Sequence, residues 1–171
     1  EVTVEFSIDT SELAGNSVVA FEDVYLDDVL VATHSDISDE GQTVDIIKVR
    51  TTARDGKTNG KVGLAEKKTT LVDTVKAENL HVGEEYTIRG KLMNPDGSEV
   101  KDGKGNPVTA EKTFKATEKN MNVDIIFTFD ATLLKTTQTV AFEDLYSGDK
   151  VVASHADLKD TDQTVEYPKV R

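Results

Sequence analysis

His34, Asp36, Asp39, Gln42 and Thr43 recur with identical spacing as His155, Asp157, Asp160, Gln163 and Thr164. A histidine near carboxylates can take up and return a proton near neutral pH. A glutamine amide is a poor electrophile whose oxygen must be stabilised as charge develops on it. Ahead of each motif an apolar run ends in Phe-Glu, at Phe21-Glu22 and Phe142-Glu143, which adds another carboxyl group. Thr51 and Thr52 supply hydroxyls, which are weak nucleophiles until a positioned base accepts their proton. Each type also has an ordinary reading. Charged residues on loops and strand ends are usually solvated, threonine favours strands, and Val140 and Phe142 read as core. The His, both Asp and the Gln nevertheless keep their spacing while intervening pairs such as Ser38/Lys159 and Gly41/Asp162 differ.

The repetition extends well beyond the motif. Residues 1–50 align without a gap on residues 122–171, with 22 identical positions, and both copies end in Lys-Val-Arg. The shift of 121 residues is domain-sized, so the chain reads as modules in tandem rather than as a short-repeat solenoid. A boundary at Arg50/Thr51 makes 51–171 one complete module and 1–50 the C-terminal part of a preceding one, its front lying outside this sequence.

Within 51–171 the pattern is strand-like. Thr69–Val75, Glu85–Leu92, Val123–Phe129 and Thr139–Asp144 alternate or run apolar over strand lengths. Asp55-Gly56, Asn59-Gly60, Pro95-Asp96-Gly97 and Asp102-Gly103 punctuate them as turns. No segment holds a helical period. The expectation is an all-β protein of immunoglobulin-like antiparallel β-sandwich modules. Residues 94–107, with three glycines, read as a long solvated hairpin loop whose acidic spacing does not fit an EF-hand. No metal site and no cofactor are expected.

Composition narrows the partners. With 32 acidic and 20 basic residues, the formal charge of -12 repels phosphates and anionic lipid, which argues against nucleic-acid binding. No apolar run reaches the roughly 18 residues that would span a bilayer, so membrane insertion is not expected. An export signal or wall anchor would have to lie outside this sequence. There is no cysteine, so disulfides cannot staple the modules.

Taken together, the Thr pair, the Phe-Glu runs and the His-Asp-Gln motif resemble the T-Q ester-bond domains, or VaFE repeats, of Gram-positive surface adhesins. The resemblance covers 51–171 and, through the repeat, 1–50. It implies that the opening-strand threonine, Thr51 with Thr52 as fallback, esterifies Gln163. It also implies that His155 is the general base, that Asp73 and Glu143 are a carboxyl pair, and that Asp160 supports the histidine. Two adjacent buried carboxyl groups cannot both ionise, so one keeps a proton. That acid is expected to hydrogen-bond the Gln163 carbonyl, while His155 passes its proton to departing ammonia. Residues 1–50 carry Glu22, His34, Asp39 and Gln42 but neither an opening threonine nor a counterpart of Asp73, so Gln42 has no partner within this chain.

The function implied is a self-crosslinked stalk module on the surface of a Gram-positive cell wall. It makes a single-turnover bond rather than acting as an enzyme. Its partners would be neighbouring modules, with any host ligand bound by another domain. The alternatives are an uncrosslinked ligand-binding module and a hydrolase acting on external substrates.

Overall fold

The computed structural model describes residues 2–169. The chain divides into two compact units between Ile47 and Lys48, so Lys48–Arg50 already belong to the first strand of the second unit.

The first unit holds β1 (Ser17–Val19), β2 (Glu22–Leu26), β3 (Val29–His34) and β4 (Thr43–Asp45). β1 pairs with β4 and β2 with β3, both antiparallel. The β2–β3 hairpin turns through Asp27 and Asp28, both at positive φ, as a two-residue turn of that hand requires.

The second unit contains β5 (Lys48–Asp55), β6 (Thr69–Glu78), β7 (Glu85–Met93), β8 (Thr109–Lys115), β9 (Met121–Phe129), β10 (Gln138–Ser147), β11 (Lys150–His155) and β12 (Thr164–Glu166). One sheet runs β5-β6-β9. The other runs β11-β10-β7-β8, with β12 also on β10. All the ladders are antiparallel. Alternate residues point inward. Leu71 and Val75 from β6, Ile125 and Phe127 from β9, Ile88 and Leu92 from β7 and Leu145 from β10 meet in a closed core. Each such side chain contributes about 1.5–3 kcal/mol by leaving water. At Gly90 the two sheets come so close that a Cβ would lie 2.6 Å from Phe127. The whole is an all-β, immunoglobulin-like sandwich.

Two sequence expectations change. Phe142 is only half-buried, because Glu143 beside it takes the inward place on β10, whereas Val140 is buried as expected. Residues 94–107 are not one wet loop. Val100 is buried and exchanges backbone hydrogen bonds with Leu92 and Val108, which leaves tight turns at 94–98 and 102–106. Asp96 and Asp102 cap those turns through their own carboxylates.

β11 and β12 share one edge of β10 in series. β11 pairs with Glu143–Ser147 and β12 with Gln138–Val140. The break between them, at Ala141, is where the site lies.

Candidate functional site

The ten-residue motif is first a turn code. Asp157 Oδ1 accepts from the Lys159 N–H at 2.9 Å, and Asp160 Oδ1 accepts from the Asp162 N–H at 2.7 Å. The Thr164 hydroxyl donates to the Asp160 carbonyl at 2.8 Å. Two short-range Asp caps in succession thus swing the chain from the end of β11 to the start of β12, with His155 and Gln163 at its two ends. The first unit repeats the device: Asp36 caps Ser38, Asp39 caps Gly41, and the Thr43 hydroxyl donates to the Asp39 carbonyl.

Gln163 is fully buried, and its amide plugs the break in the sheet edge. Nε2 donates to the Ala141 carbonyl at 2.6 Å and to the His155 carbonyl at 2.9 Å. Oε1 accepts from the Asp157 N–H at 3.1 Å. Rotating the amide would set its oxygen against two carbonyls and its nitrogen against a donor, so one orientation is fixed.

Thr51 lies on β5 facing inward and buried, and Thr52 faces out. This is the alternation that separates neighbours on a strand. The Thr51 backbone N–H donates to His155 Nδ1 at 3.1 Å, and the Thr51 hydroxyl oxygen lies 3.1 Å from the same nitrogen. A backbone N–H can only donate, so Nδ1 is the bare nitrogen and the ring proton sits on Nε2. There it faces Asp160 Oδ2 at 3.1 Å. The free acceptor therefore points at the threonine.

Asp73 on β6 and Glu143 on β10 reach into the core from opposite sheets, and both are buried. Burial raises both carboxyls above their ordinary values, and Glu143 goes further through its deeper burial, its hydrogen bonding with Asp73 and the like charge Asp73 adds. Two such carboxyls side by side cannot both ionise, so the pair holds a proton. The Thr51 hydroxyl acts on the ionisation of both carboxyls, and Gln163 acts on that of Glu143.

One expectation about this pair is corrected. Glu143 Oε2 lies 3.3 Å from the Gln163 nitrogen, not beside its carbonyl oxygen. The two amide protons already serve the nearer Ala141 and His155 carbonyls, and the oxygen is held by the Asp157 backbone.

Thr51, Asp73, Glu143, His155, Asp160 and Gln163 are thus brought together. Sequence reading gave no role to the Asp157 N–H or to Lys61. The Asp157 signal was present, since this aspartate recurs in the motif; Lys61 lies in a stretch with no second copy in the chain.

In the first unit the half-site has the same form. Glu22 pairs opposite His34 as Glu143 does opposite His155. His34 Nε2 lies 2.9 Å from Asp39 Oδ2, and the Gln42 Nε2 donates to Glu22 Oε2 at 2.5 Å. The Gln42 carbonyl oxygen is buried with no hydrogen-bond partner among the described residues.

Among solved structures, two crystal forms of a bacterial adhesin from Mobiluncus mulieris, described as containing intramolecular disulfide, isopeptide and ester bond cross-links, share this fold. They match with TM-scores of 0.59 and 0.58 at 19% identity, over 71% of this chain. The match spans 56% and 57% of the adhesin chains, little more than half their length. No curated protein matches the chain. The family model for the T-Q ester bond containing domain matches twice, over residues 1–46 and 47–167. With nearly its whole length matched in two copies, the chain belongs to the T-Q ester bond containing domain family.

Proposed function

We propose that residues 48–169 form a module that closes itself with an ester between Thr51 and Gln163. The observation that carries this is the Thr51 hydroxyl held 3.1 Å from the bare Nδ1 of His155, beside a buried carboxyl pair of which Glu143 lies 3.3 Å from the Gln163 nitrogen. His155 takes the hydroxyl proton as the Thr51 oxygen attacks the Gln163 carbonyl carbon. The oxygen of the tetrahedral intermediate is held by the Asp157 N–H. His155 then returns the proton to the amide nitrogen, the C–N bond breaks, and ammonia leaves. The nitrogen's lone pair, delocalised in the amide, becomes localised in the intermediate, and a neutral Glu143 carboxyl beside it can donate to that pair until His155 protonates it, where a carboxylate would repel it. Asp160 supports the imidazolium formed on the way. Folding places the reactants, and effective molarities of about 10⁵ M or more are available to such an arrangement.

The bond would tie the first strand of the module to its last. Force entering at one end and leaving at the other then bypasses strand hydrogen bonds worth only about 1 kcal/mol each. By analogy with a disulfide, closing so large a loop also disfavours the unfolded chain by roughly 4–5 kcal/mol. This supports a stalk segment of a surface adhesin on a Gram-positive cell wall, resistant to tension and proteases. Its neighbours would be modules of its own kind, with any host ligand bound elsewhere in the protein. The buried position of Gln163 speaks against a hydrolase, since the internal amide would consume the nucleophile.

Intact mass under denaturing conditions tests the chemistry. The chain should weigh about 17 Da less than its sequence because ammonia is lost on acyl transfer, and Thr51→Ala should restore the full mass. A wild-type chain of unaltered mass would leave an uncrosslinked sandwich.

A further inference from the structure

Lys61 sits just after the Asn59-Gly60 turn, in the segment joining β5 to β6. Its ammonium donates to the Ala53 carbonyl at 2.7 Å and to the Asp162 carbonyl at 2.5 Å. Ala53 is two residues past Thr51, and Asp162 immediately precedes Gln163. One cation thus grips the backbone on both sides of the proposed bond. Its neighbourhood reinforces the join: the Ala53 N–H donates to the same Asp162 carbonyl at 2.8 Å. Lys61 and Gly63 also exchange backbone hydrogen bonds with Glu166 on β12, forming a parallel bridge at Val62.

We propose that Lys61 is a positioning residue for ester formation, fastening the threonine-bearing strand to the glutamine-bearing turn before the covalent bond exists. This rests on the ester reading above and adds to it. Among the described residues β5 has a regular ladder only with β6, so its register against the 157–163 turn depends on a few contacts, and Lys61 bridges the two elements. An error of about 1 Å in such a reactant pair is enough to slow reaction roughly 100-fold. The charge has a second effect, since Lys61 draws Asp73 back toward its ionised form. That favours leaving the shared proton on Glu143, next to the departing nitrogen. The cost is visible on the lysine itself, whose ammonium is pulled below its ordinary value mainly by burial.

The test follows the loss of about 17 Da with time, in the full chain made by cell-free synthesis and sampled into acid after translation is stopped. Lys61→Met should crosslink about 10–100-fold more slowly than wild type, and Lys61→Arg, which restores the charge and the donors, should recover most of the rate. Val108→Ala, a core truncation away from the site, should react at the wild-type rate and so separates positioning from general stability. Folding of each variant is checked by circular dichroism in a His155→Ala background. Should Lys61→Met not fold there, Lys61→Gln is read in its place. A wild-type rate for the Met or Gln variant would overturn the proposal. So would an Arg variant no faster than Met, or a Val108→Ala chain slowed as much as either. A wild-type chain that never loses mass defeats instead the ester reading on which this rests.

Discussion

Thr51 presents two donors to one acceptor: its backbone N–H and its hydroxyl both meet His155 Nδ1 at 3.1 Å. The backbone contact dictates the tautomer, and the tautomer makes the hydroxyl contact productive. Asp160 completes the arrangement by accepting the hydrogen bond from Nε2–H on the far side of the ring.

Asp160 therefore offers a sharp pair of variants. Asp160→Ala leaves Nε2–H without its acceptor and should slow crosslinking by roughly 100-fold or more. Asp160→Asn should be worse still. Its carbonyl oxygen can keep the Asp162 cap while its amide donates to Nε2, driving the ring proton onto Nδ1 and blocking the base. Time courses of mass loss for the two, compared at one pH, decide this. An Asn variant faster than Ala would contradict the tautomer assigned here.

The strand alternation at Thr51-Thr52 predicts an asymmetric pair of results. Thr52→Ala removes an outward hydroxyl and should leave the loss of about 17 Da intact, whereas Thr51→Ala should abolish it with no transfer to the neighbour. Peptide mapping after proteolysis would show a Thr51–Gln163 branched peptide in the first variant and none in the second.

The carboxyl pair predicts a pH dependence of stability before the bond forms. Folding raises Glu143 well above its ordinary 4.5, so the folded state binds that proton more tightly than the unfolded chain does. The resulting stabilisation is full below 4.5 and is lost as pH rises through the raised folded value. In an uncrosslinked His155→Ala background, Glu143→Gln mimics the protonated form permanently. It should raise the melting temperature by about 2–8 °C for each kcal/mol relieved near neutral pH, and leave it nearly unchanged near pH 4. Equal shifts at both pH values would remove the argument for a raised Glu143.

Under force the module should show an unusual silence. Thr51 and Gln163 are 112 residues apart, so an unlinked module pulled from its ends should release about 35–40 nm of chain on unfolding. The linked one should release almost none. Single-molecule stretching of wild type beside Thr51→Ala measures this directly, and a full-length step in a wild-type chain of reduced mass would refute the proposed placement of the bond.

Much of this was legible from local rules. Alternation allowed only one of Thr51 and Thr52 to face the glutamine, the repeat exposed His155 and Gln163, and the buried Asp73–Glu143 pair was implied by the family resemblance alone. Long-range geometry was not legible. That the Asp157 N–H would hold the Gln163 oxygen depends on how β11 and β12 divide the edge of β10. Lys61 gave no signal, because its contacts are to backbone carbonyls, which any sequence supplies. Phe142 misled for a related reason: an apolar run does not reveal which of its members takes the inward place when a buried glutamate competes for it.

The amide nitrogen of Gln163 bridges the interruption between β11 and β12, joining the Ala141 and His155 carbonyls, and it is the very atom that the proposed reaction expels. Chemical closure would thus unstitch the seam that made it possible. The finished module would be stronger along the pulling axis yet locally poorer in donors, with two carbonyls turned toward the space that ammonia vacated.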